Sequence, residues 1–193
     1  VDPGLARDTT RTTTDARALH ELINAPNLMV KIPGTKEGLP SIRTMIGEGR
    51  SINVTLIFSV NRYIEVMESY IAGLEDAVSS GQKDLSSIAS VASFFISRTD
   101  TEVDRRLEEI GTHGALALRG KTAVAQAQVA YQRFLETFSG PRWEALSAQG
   151  AQVQRPLWAS TSTKNPAYSE TLYVDELIGP NTVNTMPDNT IEA

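Results

Sequence analysis

The sequence "NLMVKIPGTKEGL", residues 27–39, places a lysine inside a short apolar run that is otherwise typical of a buried β-strand. Side chains alternate between the two faces of a strand, so the leucine, valine and isoleucine of "LMVKIP" share one face and Lys31 lies on the other. The run therefore predicts a strand with one apolar face and one face that carries Lys31.

Two later runs, "INVTLIFS" at 52–59 and "VASFFIS" at 91–97, repeat this division into an apolar and a polar face. In the first run, alternation predicts an apolar face made of Ile52, Val54, Leu56 and Phe58. The opposite face of that run holds Asn53, Thr55, Ile57 and Ser59. In the second run, Phe94 and Ile96 lie opposite Ser93, Phe95 and Ser97. Three successive strands are therefore predicted to present polar side chains on one side of a sheet.

Short apolar runs alternate with longer amphipathic stretches, which is typical of βα units around a parallel sheet. The predicted strands are 28–33, 52–59, 91–97, 155–160 and a weaker one at 181–185. The predicted helices are 9–24, 40–49, 63–74 and 127–138. An open doubly wound sheet competes with a closed barrel, but it favours a Gly-rich phosphate loop after an early strand, which this sequence lacks. The pattern therefore predicts one α/β domain over 1–193 and favours a (β/α)₈ TIM barrel over the open sheet; the interior of such a barrel would receive the polar faces.

Composition excludes several classes of function. The chain has 18 basic and 23 acidic residues and a net charge of -5, with no basic stripe for nucleic acid or an anionic membrane surface. No apolar stretch approaches the roughly 20 residues that span a bilayer. The absence of cysteine excludes disulfides and thiolate metal sites, and fits the cytoplasm. His20 and His113 lack carboxylate partners at ligand spacing, so we expect no metal site.

A lysine inside a barrel would lose hydration of its charged form, which lowers its pKa and makes it an amine nucleophile. Such an amine is what Schiff-base catalysis on a carbonyl substrate requires. The alternatives are a structural lysine that pairs with a buried carboxylate, or one that reaches out from an edge strand. Asn53 and Thr55 are predicted to point at whatever Lys31 binds, or else to be satisfied within the barrel interior.

Four ordered motifs resemble those of transaldolase, in the longer actinobacterial form that is also found fused to glucose-6-phosphate isomerase. They are "LMVKIPGTKEGL", "INVTLIFS", "VASFFISRTDTEVDRRL" and "RPLWASTSTKNPAYSETLYVDELIGPNTVNTMP". The resemblance implies a class I aldolase barrel that acts in the pentose phosphate pathway. It implies transfer of a dihydroxyacetone unit from a ketose phosphate such as sedoheptulose 7-phosphate to an aldose phosphate, with no metal or organic cofactor.

The resemblance also assigns the reacting end of the substrate site. Lys31 matches the Schiff-base lysine on the fourth strand of the family's barrel. Asn53 matches an asparagine that binds the dihydroxyacetone hydroxyls, and Thr55 matches a threonine that helps to hold a catalytic water. Ser97 matches a sixth-strand serine near the same hydroxyls.

The residues expected to bind the phosphate group of the substrate differ from those of the family's short form. The short form has an arginine five residues after the sixth-strand serine. Five residues after Ser97 this chain has Glu102, and its nearby arginine is Arg98. Ser160 matches a serine of the phosphate end, and Lys164 in "TKNP" stands where the short form has arginine. Arg98 and Lys164 are therefore the predicted phosphate ligands.

The ends of the sequence bear on the activity that we expect. "VDP" resembles the end of the third strand, where the family has a glutamate immediately before Val-Asp, and the first-strand aspartate also lies outside this sequence. We therefore expect strands four to eight of the barrel, without the last helix, and a missing N-terminal part as the partner. The alternatives to transaldolase are a class I aldolase that releases dihydroxyacetone, or an inactive fragment that binds sugar phosphates.

Overall fold

The computed structural model describes residues 1–192. Its strands are β1 (Val30–Pro33), β2 (Ile52–Ile57), β3 (Ser90–Phe95), β4 (Arg155–Ala159) and β5 (Val183–Asn184). The longer helices are α1 (Thr9–Ile23), α2 (Gly38–Gly47), α3 (Val60–Ser79), α4 (Ser97–Ile110) and α6 (Thr122–Thr137). The shorter helices are α5 (His113–Leu116), α7 (Gly140–Ser147), α8 (Leu172–Asp175) and α9 (Asp188–Ile191). A 3₁₀ turn over Pro3–Leu5 precedes α1.

The strands form a parallel sheet in chain order, β1-β2-β3-β4-β5. This order confirms the predicted α/β class and excludes, for residues 1–192, the reordered strands of a doubly wound fold. Each predicted strand is present but is shorter by one or two residues at one end or at both, and β3 also begins one residue before its predicted start. The sheet is therefore an arc of consecutive βα units with the connectivity of a (β/α)₈ barrel.

The main hydrophobic core lies between the sheet and the helices. Fully buried strand residues such as Val54 and Phe94 pack there against buried helix residues such as Met67 and Phe134. The other face carries a small cluster of Val91, Leu157 and Ala159, against which only residues from the strands or next to them pack. In residues 1–192, the helices that contribute to the core thus lie on one side of the sheet, as they do on the outside of a barrel.

One predicted face is wrong beyond Thr55. The pairing of β2 with β3 shifts between Val54 and Ile57, and Leu56 adopts a left-handed conformation with φ of 60°. A β-bulge of this kind adds one unpaired residue and reverses the alternation of side chains after it. Ile57 therefore enters the core with no exposed surface, whereas Leu56 and Phe58 are each 42% exposed.

Helix ends follow local capping chemistry. The Asp8 carboxylate accepts a hydrogen bond from the backbone N–H of Arg11 at the start of α1, and Asn24 ends that helix in a left-handed conformation. α2 begins at Gly38, two residues before Pro40, so this proline lies in the first turn, where its missing N–H costs little. The loop between β1 and α2 therefore spans residues 34–37 at the carboxyl end of β1.

Candidate active site

Lys31 lies in the middle of β1 and pairs in register with Asn53 of β2. Its neighbours Val30 and Ile32 are buried in the core, so the lysine points to the face opposite the helices. In residues 1–192 the side chain of Lys31 is exposed, so its burial inside a closed barrel stays a prediction. The helices pack on the other face of the sheet, and nothing in residues 1–192 covers the lysine.

Asn53 is held by a serine of the next strand. The Ser93 hydroxyl donates a hydrogen bond of 2.8 Å to Asn53 Oδ1, and Ser93 is only 2% exposed. Asn53 and Thr55 are half-buried and precede the bulge, so both remain on the Lys31 face. The single carbonyl oxygen of the Asn53 amide accepts from Ser93. Its NH₂ group is therefore available to donate a hydrogen bond to a ligand. Lys31, Asn53 and Ser93 thus form a row across three neighbouring strands.

Ser97 and Ser160 meet at the carboxyl ends of β3 and β4. Their hydroxyls share a hydrogen bond of 3.0 Å, and the backbone N–H of Ser97 donates to the Ser160 carbonyl at 3.0 Å. The prediction that Ser97 lies on a strand is wrong, because β3 ends at Phe95 and Ser97 is the first residue of α4. The pair therefore joins two strand ends through a partly buried hydrogen bond, with Ser160 at a φ of 57°.

Arg98 follows Ser97 and is exposed. Its guanidinium carbon lies 5.0 Å from the ring centroid of Phe95, whose ring is in turn 5.0 Å from that of Phe58. Cation–π contact of this kind orients an arginine without neutralising its charge. Arg98 is thus a positioned cation near the carboxyl end of β3.

Ser93 is a site residue that the sequence-based prediction does not include, although one spacing points to it. The family's short form has its arginine five residues after the sixth-strand serine, and in this chain Arg98 lies five residues after Ser93. Counting from Ser97 instead leads to Glu102, which pairs with Arg105 and Arg106 on the helix surface. Their hydrogen bonds lower the pKa of Glu102 to about 2. In the structure Ser93 lies beside Asn53, whereas Ser97 forms its hydrogen bond with Ser160.

Lys164 lies in the loop that follows β4. Its Nζ donates a hydrogen bond of 2.7 Å to the Ser162 hydroxyl, and its side chain is exposed. It lines a cavity of about 310 Å³ together with Asp104 and Tyr168. In residues 1–192 neither Lys31, Arg98 nor Lys164 forms an ion pair, whereas arginines such as Arg142 do. These three cations are available to an anionic ligand.

Two buried carboxylates of α4 form a second cluster that the sequence pattern does not single out. Asp100 accepts hydrogen bonds from the Ala123 N–H at 2.7 Å and from the Tyr173 hydroxyl at 2.8 Å. Burial raises the pKa of Asp100, and these two donors oppose that rise. Asp104, four residues later, accepts from Tyr168. The cluster joins α4 to the segment that carries Lys164.

Residues 1–192 contain neither a cluster of metal-ligating side chains nor a helix that could span a membrane. No group of three or more His, Asp or Glu side chains in this part of the chain is arranged to hold a metal ion. No helix within these bounds combines the length and the apolar character that crossing a bilayer requires.

Comparison with known proteins identifies relatives along the entire chain. The sequence pattern of the family described as Transaldolase/Fructose-6-phosphate aldolase matches residues 1–193. The transaldolase of Thermobifida fusca (strain YX) is 60% identical over 193 residues, which are 100% of this chain and 52% of that protein. The transaldolase of Mycobacterium leprae (strain Br4923) is 57% identical over 194 residues, covering 100% of this chain and 52% of that protein. Transaldolase 1 of Streptomyces avermitilis is 58% identical over 193 residues, with coverages of 100% and 51%.

The chain spans about half the length of the curated relatives it matches. The match nevertheless includes every strand of the sheet and all the predicted site residues, because it covers residues 1–193. The resemblance that the sequence motifs indicate is therefore confirmed. The chain belongs to the Transaldolase/Fructose-6-phosphate aldolase family.

Proposed function

We propose that the protein carrying this chain is a transaldolase. It would transfer a dihydroxyacetone unit from sedoheptulose 7-phosphate to glyceraldehyde 3-phosphate, giving erythrose 4-phosphate and fructose 6-phosphate. The observation that supports this best is the row across β1, β2 and β3. In it Lys31, which forms no ion pair in residues 1–192, lies beside Asn53, and Asn53 accepts a hydrogen bond from Ser93. An amine next to a fixed amide suits a substrate with a carbonyl group flanked by hydroxyls.

Lys31 would act as the nucleophile. Its neutral amine attacks the ketone carbon, and loss of the carbonyl oxygen as water leaves a protonated imine. The electron pair of the adjacent carbon–carbon bond then moves toward the imine, which gives an enamine and releases the first aldose phosphate. The enamine adds to the second aldehyde, and water frees the lysine. Asn53 would bind the dihydroxyacetone hydroxyls, and Thr55 would help to hold the water, as the resemblance implies.

The remaining groups would come from outside residues 1–193. The N-terminal amine of Val1 donates a hydrogen bond of 2.9 Å to the Lys31 carbonyl, so a residue joined before Val1 would lie next to β1. The glutamate that the family has at that position would then be close to Lys31. We propose that the rest of the barrel closes over this face and buries the lysine in the barrel interior, away from bulk water. The reaction would belong to the pentose phosphate pathway in the cytoplasm.

Trapping the imine tests this function directly. Incubation of the natural protein with fructose 6-phosphate, followed by borohydride, should leave a reduced dihydroxyacetone adduct on Lys31, because reduction makes the imine bond permanent. Peptide mass spectrometry would locate it. Lys36 and Lys164 are exposed and serve as internal controls. An adduct on either of them, with Lys31 unmodified, would refute the assignment.

The family's description also includes fructose-6-phosphate aldolase, which favours a lyase as the second candidate function. A transferase needs an acceptor aldehyde to turn over, whereas a lyase releases free dihydroxyacetone without one. Product analysis with and without glyceraldehyde 3-phosphate separates the two. Release of dihydroxyacetone at an undiminished rate without an acceptor would support the lyase.

Lys164 is the proposed phosphate ligand after β4. Replacing it with alanine should raise KM for phosphorylated substrates by about tenfold, since a charged contact to phosphate is lost, and should leave KM for unphosphorylated analogues unchanged. Lys83→Ala removes the same charge from the opposite rim, before β3 begins, and is the matched control. Equal effects of Lys164→Ala on both substrate types would show that Lys164 is a surface lysine.

A further inference from the structure

Asp100 and Asp104 lie one helical turn apart on α4, and both are nearly fully buried, with exposures of 2% and 8%. Each uses its two oxygens in the same way. One oxygen accepts from a backbone N–H at the start of α6 or just before it, from Ala123 at 2.7 Å and from Gly120 at 3.0 Å. The other accepts from a tyrosine hydroxyl beyond β4. The pair therefore links three separate parts of the chain.

One of the segments that this link fixes is the loop 160–171. This loop contains Ser160 and Lys164 and has no helix or strand. Within residues 1–192, one side-chain hydrogen bond joins 162–170 to a residue outside 160–175. It runs from the Tyr168 hydroxyl to Asp104 Oδ2 and measures 2.5 Å. Burial, with the hydrogen bond to Asp104, raises the pKa of Tyr168 to about 12, so the hydroxyl stays a donor at neutral pH.

The Tyr168 ring packs directly against the backbone of Gly120. It has a φ of 69°, and a Cβ placed there would lie 2.9 Å from the ring carbon Cζ of Tyr168. Any other residue would therefore be strained in its backbone and would displace the ring. The Gly120 N–H donates to the same carboxylate that holds the Tyr168 hydroxyl. Ring and hydroxyl are thus fixed together.

We propose that Asp104 is a positioning residue for the phosphate end of the substrate, which holds the loop 160–171 through Tyr168 and so places Lys164. Lys164 and Tyr168 are four residues apart and line the same two cavities, of about 310 and 250 Å³. This inference rests on the proposed function, because it takes Lys164 as the phosphate ligand. Asp100 and Tyr173 would instead anchor the base of α8, since Tyr173 is 1% exposed within the core.

The test compares two tyrosines that make equivalent bonds. In the natural protein, Tyr168→Phe should raise KM for phosphorylated substrate by roughly three- to tenfold, the range that corresponds to the net contribution of one typical hydrogen bond, with kcat and KM for the unphosphorylated analogue unchanged. Tyr173→Phe should lower thermal stability without moving either KM. Asp104→Ala should reproduce Tyr168→Phe, because alanine removes the oxygen that accepts from the Tyr168 hydroxyl. The double variant should be no worse than Asp104→Ala alone.

Two measurements separate the failure of this inference from failure of the proposed function. If Lys164→Ala raises KM for phosphorylated substrate and Tyr168→Phe does not, the positioning role alone is overturned. If Lys31 is not trapped as an imine, the proposed function fails. Hydrogen exchange then still decides whether the loop is held. Faster exchange within 162–170 in Tyr168→Phe, but not in Tyr173→Phe, would support the link, and unchanged exchange there would overturn it.

Discussion

Lys31→Arg is expected to reduce turnover by on the order of 10⁴-fold or more, as removal of a covalent nucleophile does elsewhere. Arginine keeps the positive charge and much of the length of lysine, but its guanidinium stays protonated and cannot attack a ketone. If Lys31 acted only as a charge, the arginine variant would retain most of the activity. Steady-state turnover with sedoheptulose 7-phosphate and an acceptor aldehyde measures the difference.

The structure indicates that this variant keeps the hydrophobic core. The Lys31 side chain lies on the face opposite the helices and forms no ion pair in residues 1–192, so arginine disturbs no core contact and breaks no ion pair there. Lys36→Arg makes the same change in the following loop and should leave turnover unchanged. Near-normal activity of Lys31→Arg, or equal losses in both variants, would show that Lys31 is not the nucleophile.

Binary patterning predicts the sheet well where the backbone is regular. Alternation of apolar and polar residues identifies the core face of β1 and of β3, where Ile32 and Phe94 are fully buried. It fails at Leu56, because a single left-handed residue reverses every later side chain while leaving the apolar pattern readable as a strand. A glycine or asparagine at this position would have indicated a left-handed conformation, whereas a leucine does not. The bulge coincides with the register shift in the pairing of β2 with β3.

The residues of the candidate site that can be predicted are those that stand out within the pattern of a single strand. Lys31 and Asn53 stand out because a polar residue interrupts an apolar run, and strand register then places them side by side. Ser93 is harder to find, since its role depends on a hydrogen bond to another strand. The bonds from Asp104 to Tyr168 and from Asp100 to Tyr173 span 64 and 73 residues. No periodicity encodes contacts at that separation, because they depend on how loops pack after the sheet forms.

The 193-residue chain without any further segment is expected to have negligible turnover and to self-associate. In residues 1–192, β1 and β5 each pair with one strand only, so each leaves a row of backbone groups unpaired. Five strands cannot close the ring that eight make. Leu56 and Phe58, each 42% exposed, add apolar surface on the open side. Sedimentation velocity and a coupled turnover assay would measure both properties.

The loss of activity should exceed what exposed edges alone would cause. The resemblance assigns a glutamate before Val1 and a first-strand aspartate to acid/base steps, and each such group contributes on the order of 10²- to 10⁴-fold. Even a chain that kept the row of Lys31, Asn53 and Ser93 would therefore lack the groups that transfer protons, and its Lys31 would remain exposed to solvent. Supplying the preceding segment, in one chain or by co-expression, should restore both solubility and turnover. A monomeric, cooperatively melting 193-residue chain with near-full activity would instead mean that these five βα units contain the whole active site.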